Sequence, residues 1–269
     1  MSQSIATNPS ESPKPSMGVI AALPTNDQRD HRVAITPGSA SQLHSLGWKT
    51  RIVHGSGVAS GYSNEEFESV GTEIVQNTES LLDSARVALC IESPGIEFIE
   101  SMPERMVLAG FLDPFQKPDN VDAIAKRGLD AFSLELVPRT TIAQPMDALS
   151  SQASLAGYAA TILAASRLTK ALPMMSTPAG TIKPARVLVV GTGVAGLQAI
   201  ATSVRLGARV TAYDVRPTAK EQVESLGARF AKIDIGETGE VAGGYAKQLT
   251  EEQLGMIRAL GVEPPPQRQ

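Results

Sequence analysis

RVLVVGTGVAGLQAIATSVRLGARVTAYD, residues 186–214, decides the fold. After Arg186 comes an unbroken apolar run, 187–190, and 186–191 (RVLVVG) read as a strand buried on both faces. Residues 194–206 carry an apolar helical pattern closed by Gly207, and 209–214 (RVTAYD) read as a second strand. Downstream, 217–226 form a helical segment ending at Gly227, and 229–233 a third strand. Pro217 suits a first helical turn, and Gly207 and Gly227 suit helix C-termini. The order βαβαβ is one half of a doubly wound, Rossmann-type sheet.

Upstream, short apolar runs alternate with helix-sized polar segments. Strands are expected at 19–23, 50–54, 87–92, 106–112 and 131–136, with helices at 38–46, 64–70, 78–84 and 120–127. Strands spaced by helices imply a parallel sheet covered on both faces, a flavodoxin-like α/β domain. A long helical pattern follows over 146–172, with Asp147 or Ser150 as its cap and Pro173 as its stop. A loop over 174–185 holds Pro178, Gly180 and Pro184 as breakers. The expected organisation is therefore a disordered Ser/Pro-rich lead (1–16), an N-terminal α/β domain (17–145) and a linking helix and loop (146–185). A partial Rossmann domain (186–262) and a proline-bearing disordered tail (263–269) complete it.

The 269 residues suffice for roughly two domains. With 42% hydrophobic residues the chain can build a sizeable core, which excludes wholesale disorder. A net charge of −4 without a basic tract argues against nucleic acid as a partner. The single cysteine, Cys90, excludes an intrachain disulfide and a cysteine-built zinc site. The three histidines, His31, His44 and His54, are scattered and suggest no metal site. No stretch approaches a membrane span, and the first residues are not a signal peptide.

Gly191-Thr192-Gly193-Val194-Ala195-Gly196 matches G-x-G-x-x-G, between a strand and a helix, with Asp214 ending the next strand. That context, rather than the glycines alone, makes it a dinucleotide fingerprint. Gly191 permits the tight turn, Gly193 lets backbone approach a pyrophosphate, and Gly196 lets helix and strand pack closely. The helix N-terminus then offers N–H groups and partial positive charge to the phosphates. Asp214 is expected to accept from an adenosine ribose, which favours NAD over NADP, while Arg216 is a cation able to receive a 2′-phosphate. Val215 lies between them.

These residues, extended to RVLVVGTGVAGLQAIATSVRLGARVTAYDVRPTAKEQVESLGARF, resemble the NAD-binding alpha component of proton-translocating NAD(P) transhydrogenase. LELVPRTTIAQPMDALSSQASLAGYAA is similar to that family's nicotinamide loop and the helix after it, and HRVAITP to an element shared with alanine dehydrogenase. The resemblance implies that Arg139, Gln144 and Asp147, with Ser150 and Tyr158, surround the reactive ring. It implies NAD(H) on this chain and NADP(H) on a partner beta subunit. It also implies a membrane proton-channel subunit, a homodimer, and a cytoplasmic location at the inner membrane through those partners. Hydride transfer between nicotinamides needs no strong acid or base, so orienting groups suffice.

Two departures from the family pattern shape the alternatives. Where alanine dehydrogenases place a substrate lysine and histidine, this chain has Cys90 and Phe111, which neither bind a carboxylate nor shuttle a proton. Alanine dehydrogenation is therefore improbable. The family's chain also continues for roughly another hundred residues, where this one closes with LGMIRALGVEPPPQRQ. The expectation is a chain shortened after the third Rossmann strand, with RVLVV left as a sheet edge. The alternative function is then a non-catalytic nucleotide-binding or assembly chain that needs complementation.

Overall fold

The computed structural model describes residues 16–231 apart from 26 and 28, together with 240–241, 245–246 and 250. The expected lead (but for residue 16) and tail, and residues 232–233 of the third Rossmann strand, lie outside the described residues. The chain divides into two compact units, Met1–Pro138 and Arg139–Gln269.

The first unit runs β1 (Gly18–Ala22), α1 (Pro37–Ser45), β2 (Trp48–Val53), α2 (Asn64–Ser69), β3 (Glu73–Val75), α3 (Thr78–Leu81), β4 (Ala85–Glu92), α4 (Ile96–Ser101), β5 (Val107–Phe111), α5 (Pro118–Arg127) and β6 (Asp130–Ser133). All six strands pair in parallel, in the order β3-β2-β1-β4-β5-β6. Without the three-residue edge strand β3 this is the flavodoxin order, so the expected fold class holds. Local chemistry sets the helix starts. Thr36 and Ser39 make a capping box before α1, and Ser63 and Glu66 another before α2.

Side chains alternate across the sheet and build two cores. Ala21, Ala88, Leu108 and Ile124 lie in one; Ala22, Ile52, Ala40 and Phe67 lie in the other. Cys90 is in the first, and its thiol donates to the Ala109 carbonyl at 3.6 Å. Burial pushes that thiol up to about 12, with Glu135 and Glu92 adding to the effect. Gly110 is required beside it, since a Cβ there would stand 2.2 Å from the Cys90 carbonyl oxygen.

Three features of this unit differ from the sequence expectation. Strand β3 is held by Arg51 of β2, whose buried guanidinium bonds Glu73 at 2.8 Å and the carbonyls of Ser80, Leu81 and Asp83. Helix α4 follows Gly95, which supplies no side-chain cap. The strand expected over 131–136 stops at Ser133, and Leu134–Leu136 form a 3₁₀ turn. Glu135 causes that turn, its carboxylate receiving the backbone N–H groups of Leu112 and Asp113.

The second unit opens with a 3₁₀ turn at Gln144–Met146 and then α6 (Ala148–Arg167). Helix α6 ends at Leu168 rather than running to Pro173. The chain turns there so that Leu172 is buried and its carbonyl accepts from Ala185 N. The expected loop contains an antiparallel pair, β7 (Met175–Thr177) and β8 (Gly180–Ile182). Then come β9 (Arg186–Val190), α7 (Val194–Arg205), β10 (Arg209–Tyr213), α8 (Ala219–Ser225) and β11 (Arg229–Phe230), a parallel sheet in the order β11-β10-β9. Pro217 sits in the turn before α8, not in its first turn, because Ala219 N closes back on the Arg216 carbonyl. Glu240–Val241 and Tyr245–Ala246 pair as a further short antiparallel ladder, β12 and β13.

One core backs this sheet, with Ile200 of α7 and Val223 of α8 packed on Val210 and Ala212. The sheet's outward residues on β9 are open, Leu188 at 55%. Among the described residues, β9 is an edge strand, and no helix is long and apolar enough to cross a membrane.

Candidate functional site

The cleft of the second unit is built around the turn between β9 and α7. Gly191 takes φ +86°, a conformation that favours glycine, and its N–H donates to the Tyr213 carbonyl at 2.8 Å. Gly196 must also be glycine, since a Cβ there would lie 1.9 Å from the Gly191 carbonyl oxygen. Gly193 differs from both. Its φ of −69° is ordinary, and a Cβ there would meet nothing within 4 Å. Backbone at Gly193 therefore faces open space at the N-terminus of α7, which is what an approaching phosphate needs.

That space is a cleft of about 700 Å³. Gly191, Gly193 and Val194 line it, together with Arg139, Ser150 and Gly157 and with Asp214 and Arg216. Helix α6 reaches it by close packing on α7. A Cβ at Gly157 would come 2.1 Å from the Ala195 carbonyl oxygen, and the Thr161 hydroxyl donates to the Ala199 carbonyl at 3.3 Å. Neither Gly157 nor Thr161 stands out in the sequence. The signal is a run of small residues at helical spacing, Ala153, Ala156, Gly157 and Ala160, all of which line the cleft.

Asp214 is the most heavily bonded side chain of the site. Its carboxylate accepts from the Thr192 N–H at 2.7 Å and the Thr192 hydroxyl at 2.8 Å. It also accepts from the Arg216 N–H at 2.9 Å, Nε at 3.0 Å and Nη2 at 3.1 Å. Burial works to raise its pKa, but the bonds from Arg216 and Thr192 outweigh it and hold the carboxyl below the usual carboxylate range. Thr192 is 1% exposed and points at Asp214 instead of into the cleft. Ala195 and Val194 line the cleft, whereas Val215 does not. Tyr213 is buried, which raises its pKa, with Asp214 adding to the effect.

The residues expected around a nicotinamide ring are brought together in part. Asp147 caps α6, accepting from Ser150 N at 2.9 Å and from Ser150 Oγ at 2.6 Å. Those bonds lower its pKa, and the charge of Arg139 lowers it further. Arg139 and Ser150 line the cleft, and Asp147 joins them through Ser150. Gln144 and Tyr158 do not line it. Gln144 is exposed in the 3₁₀ turn, and Tyr158 is 51% exposed on α6. Among the described residues no cluster of His, Cys, Asp and Glu is arranged to hold a metal.

Comparison with known proteins places these elements in context. The family described as Alanine dehydrogenase/PNT, N-terminal domain matches residues 24–156, and Alanine dehydrogenase/PNT, C-terminal domain matches 160–257. The chain is 44% identical over 230 residues to the first of the NAD(P) transhydrogenase alpha-subunit polypeptides of Rhodospirillum rubrum, covering 83% of this chain and 60% of that one. It is 42% identical over 237 residues to the Rickettsia prowazekii protein of the same name, covering 87% and 62%. A solved transhydrogenase from Sinorhizobium meliloti superposes with a TM-score of 0.76 at 43% identity, over 80% of this chain and 64% of that one. The chain thus spans about 60% of the length of the Rhodospirillum and Rickettsia relatives, and less than half of longer transhydrogenase alpha subunits that it also matches. With both domains of one family matched in order, and a solved relative sharing the fold at this identity, the chain belongs to the alanine dehydrogenase/PNT family.

Proposed function

We propose that this chain is the NAD(H)-binding component of a proton-translocating NAD(P) transhydrogenase, passing hydride between NAD(H) here and NADP(H) on a partner subunit. The observation that carries the reading is Gly193, a glycine with ordinary dihedrals whose missing Cβ opens onto the cleft at the start of a 12-residue helix. Such a cradle suits a pyrophosphate, and a side chain would fill it. The likeness to transhydrogenase alpha subunits supports the same reading.

In this proposal the N–H groups of the turn bind the pyrophosphate, and Asp214 faces the adenosine ribose. Arg139 and Ser150, with Asp147 behind Ser150, orient the nicotinamide end. NAD(H), when bound, supplies the hydride chemistry, and the chain's own groups bind and orient. No proton moves on this chain when NADH and NADP⁺ become NAD⁺ and NADPH. Gln144 and Tyr158 keep their proposed place around the ring only with a different arrangement of their segments. The proposed assembly is a homodimer with an NADP-binding beta subunit and a membrane proton-channel subunit, on the cytoplasmic side of the inner membrane.

The test is calorimetric titration of the full chain with NADH, followed by a transhydrogenation assay with an added NADP-binding component. The wild type is expected to bind NADH, and Gly193→Ala to fold normally while losing affinity at least tenfold. Equal binding by the variant would overturn the placement of the pyrophosphate. NADH binding without hydride transfer would favour the second reading, a nucleotide-binding chain that needs complementation. That reading draws on β9 being an edge strand among the described residues.

A further inference from the structure

Asp214 is committed before any ribose reaches it. A carboxylate has about four lone-pair sites, and at least five donors from Thr192 and Arg216 already converge on this one. The Thr192 donors belong to the glycine turn and cannot leave without moving it. Arg216 is different, because its guanidinium lies at the end of a long side chain and lines the cleft. The pairing is also a local habit of this chain. Asp27 and Arg29, and Asp30 and Arg32, make the same two-residue turn, with the Arg N–H and Nε both donating to the preceding Asp. Those two pairs are largely exposed, with their arginines 90% and 45% accessible. At the cleft the corresponding values are 17% for Arg216 and 6% for Asp214.

We infer that Arg216 is a displaceable counter-ion on the ribose-binding carboxylate, and that it sets how strongly the cleft separates NAD(H) from NADP(H). A ribose diol gains Asp214 only by taking the place of the guanidinium, which lowers the affinity for NAD(H) by the strength of that pair. Once displaced, the same guanidinium is a mobile cation at the 2′ position. There it offsets the repulsion that a bare carboxylate would exert on a 2′-phosphate. Arg216 thus weakens the cognate nucleotide and moderates the rejection of the phosphorylated one. The inference rests on the nucleotide-binding reading above and adds a specificity residue to it.

The experiment is titration of the full-length wild type, Arg216→Met and Arg216→Lys with NADH and with NADPH at one fixed salt concentration. Methionine keeps the apolar stem and removes every donor. Arg216→Met is expected to bind NADH about two- to fivefold tighter, because the diol no longer has to displace the guanidinium. It is expected to bind NADPH about tenfold more weakly, because the carboxylate then stands alone. Arg216→Lys keeps the charge, and it should retain the wild-type affinity for NADPH. Weaker or unchanged NADH binding in Arg216→Met, or an unchanged ratio between the two nucleotides, overturns the inference. Should Arg216→Met fail to fold, the Arg216→Lys ratio decides: a ratio shifted toward NADH rejects the charge argument, and a preserved one supports it. Failure of the wild type to bind NADH would instead sink the nucleotide reading itself, and this inference with it.

Discussion

Leu108, in the first sheet, is fully buried between strands covered on both faces; Leu188, in the second sheet, is 55% exposed on a strand backed on one face. Both units follow the same βαβ rules, and both place polar groups where their strands end. In the first, those groups satisfy one another. Glu135 takes the N–H groups of Leu112 and Asp113, Glu92 accepts from Asp27 N, and Asn120 bonds Ser93. In the second, the strand β9 ends in a glycine turn beside a cleft. The difference teaches that architecture alone does not decide which unit carries a large open cleft. What separates the units is backbone: acids at the strand ends of both are bonded internally, but at Gly193 the start of α7 faces open space.

Substitutions at four positions test that contrast, taken from the largest effect to the smallest. Trp48, the chain's one tryptophan, lies in β2 and makes fluorescence a reporter of the first unit, while circular dichroism sees both. Leu108→Ala should cost about 2–5 kcal/mol, because it leaves a cavity in a doubly covered core, and should lower the urea midpoint seen by Trp48. Gly157→Ala should cost about 1–3 kcal/mol by forcing α6 away from the Ala195 carbonyl. That loss should appear in circular dichroism and leave the Trp48 transition in place. An effect of Gly157→Ala on Trp48 would break the comparison by showing that the units melt together.

Asp147→Ala removes the cap of α6 and should cost about 1 kcal/mol near neutral pH. The pH dependence follows from the direction of its shift. Its folded pKa lies below the ordinary 3.8, so its stabilisation is present above that value and is lost as pH falls through the lowered folded pKa. Thermal midpoints of Asp147→Asn, measured on the acid side, should accordingly fall less steeply than those of the wild type. Leu188→Ala should stay within about 0.5 kcal/mol, since most of its surface is already in water. A cost as large as that of Leu108→Ala would mean that β9's open face is covered in solution.

Much of the fold is legible in the sequence, and the omissions have physical causes. Periodicity locates the five longer strands of the first sheet because each carries apolar residues in a stretch of strand length between helix-sized segments. It misses β3, where Glu73–Val75 are too few for a pattern and depend on Arg51 from a neighbouring strand. Helix α4 escapes for want of a capping side chain at Gly95. The glycine turn is legible in position and conformation, since φ and close approach follow from residue type. Thr192 reads as a contact, yet its hydroxyl turns inward to Asp214. Asp214 is placed at the right strand end, but not its partners. Three Asp-x-Arg segments, at 27–29, 30–32 and 214–216, are the available signal, and only their geometry shows that each closes on itself. Gln144 and Tyr158 come from resemblance, and neither residue type nor spacing ties them to the cleft.

The buried thiol of Cys90 has a practical meaning for anyone studying this chain. Burial holds its pKa at about 12, so at neutral pH the thiol stays protonated and unreactive. Cys90 also lies within the buried core, with Gly110 close beside it on the next strand. A single cysteine introduced on the surface would therefore take a maleimide dye or spin label at one position, with the native sulfur left in place and silent. The chain comes ready for distance and fluorescence measurements.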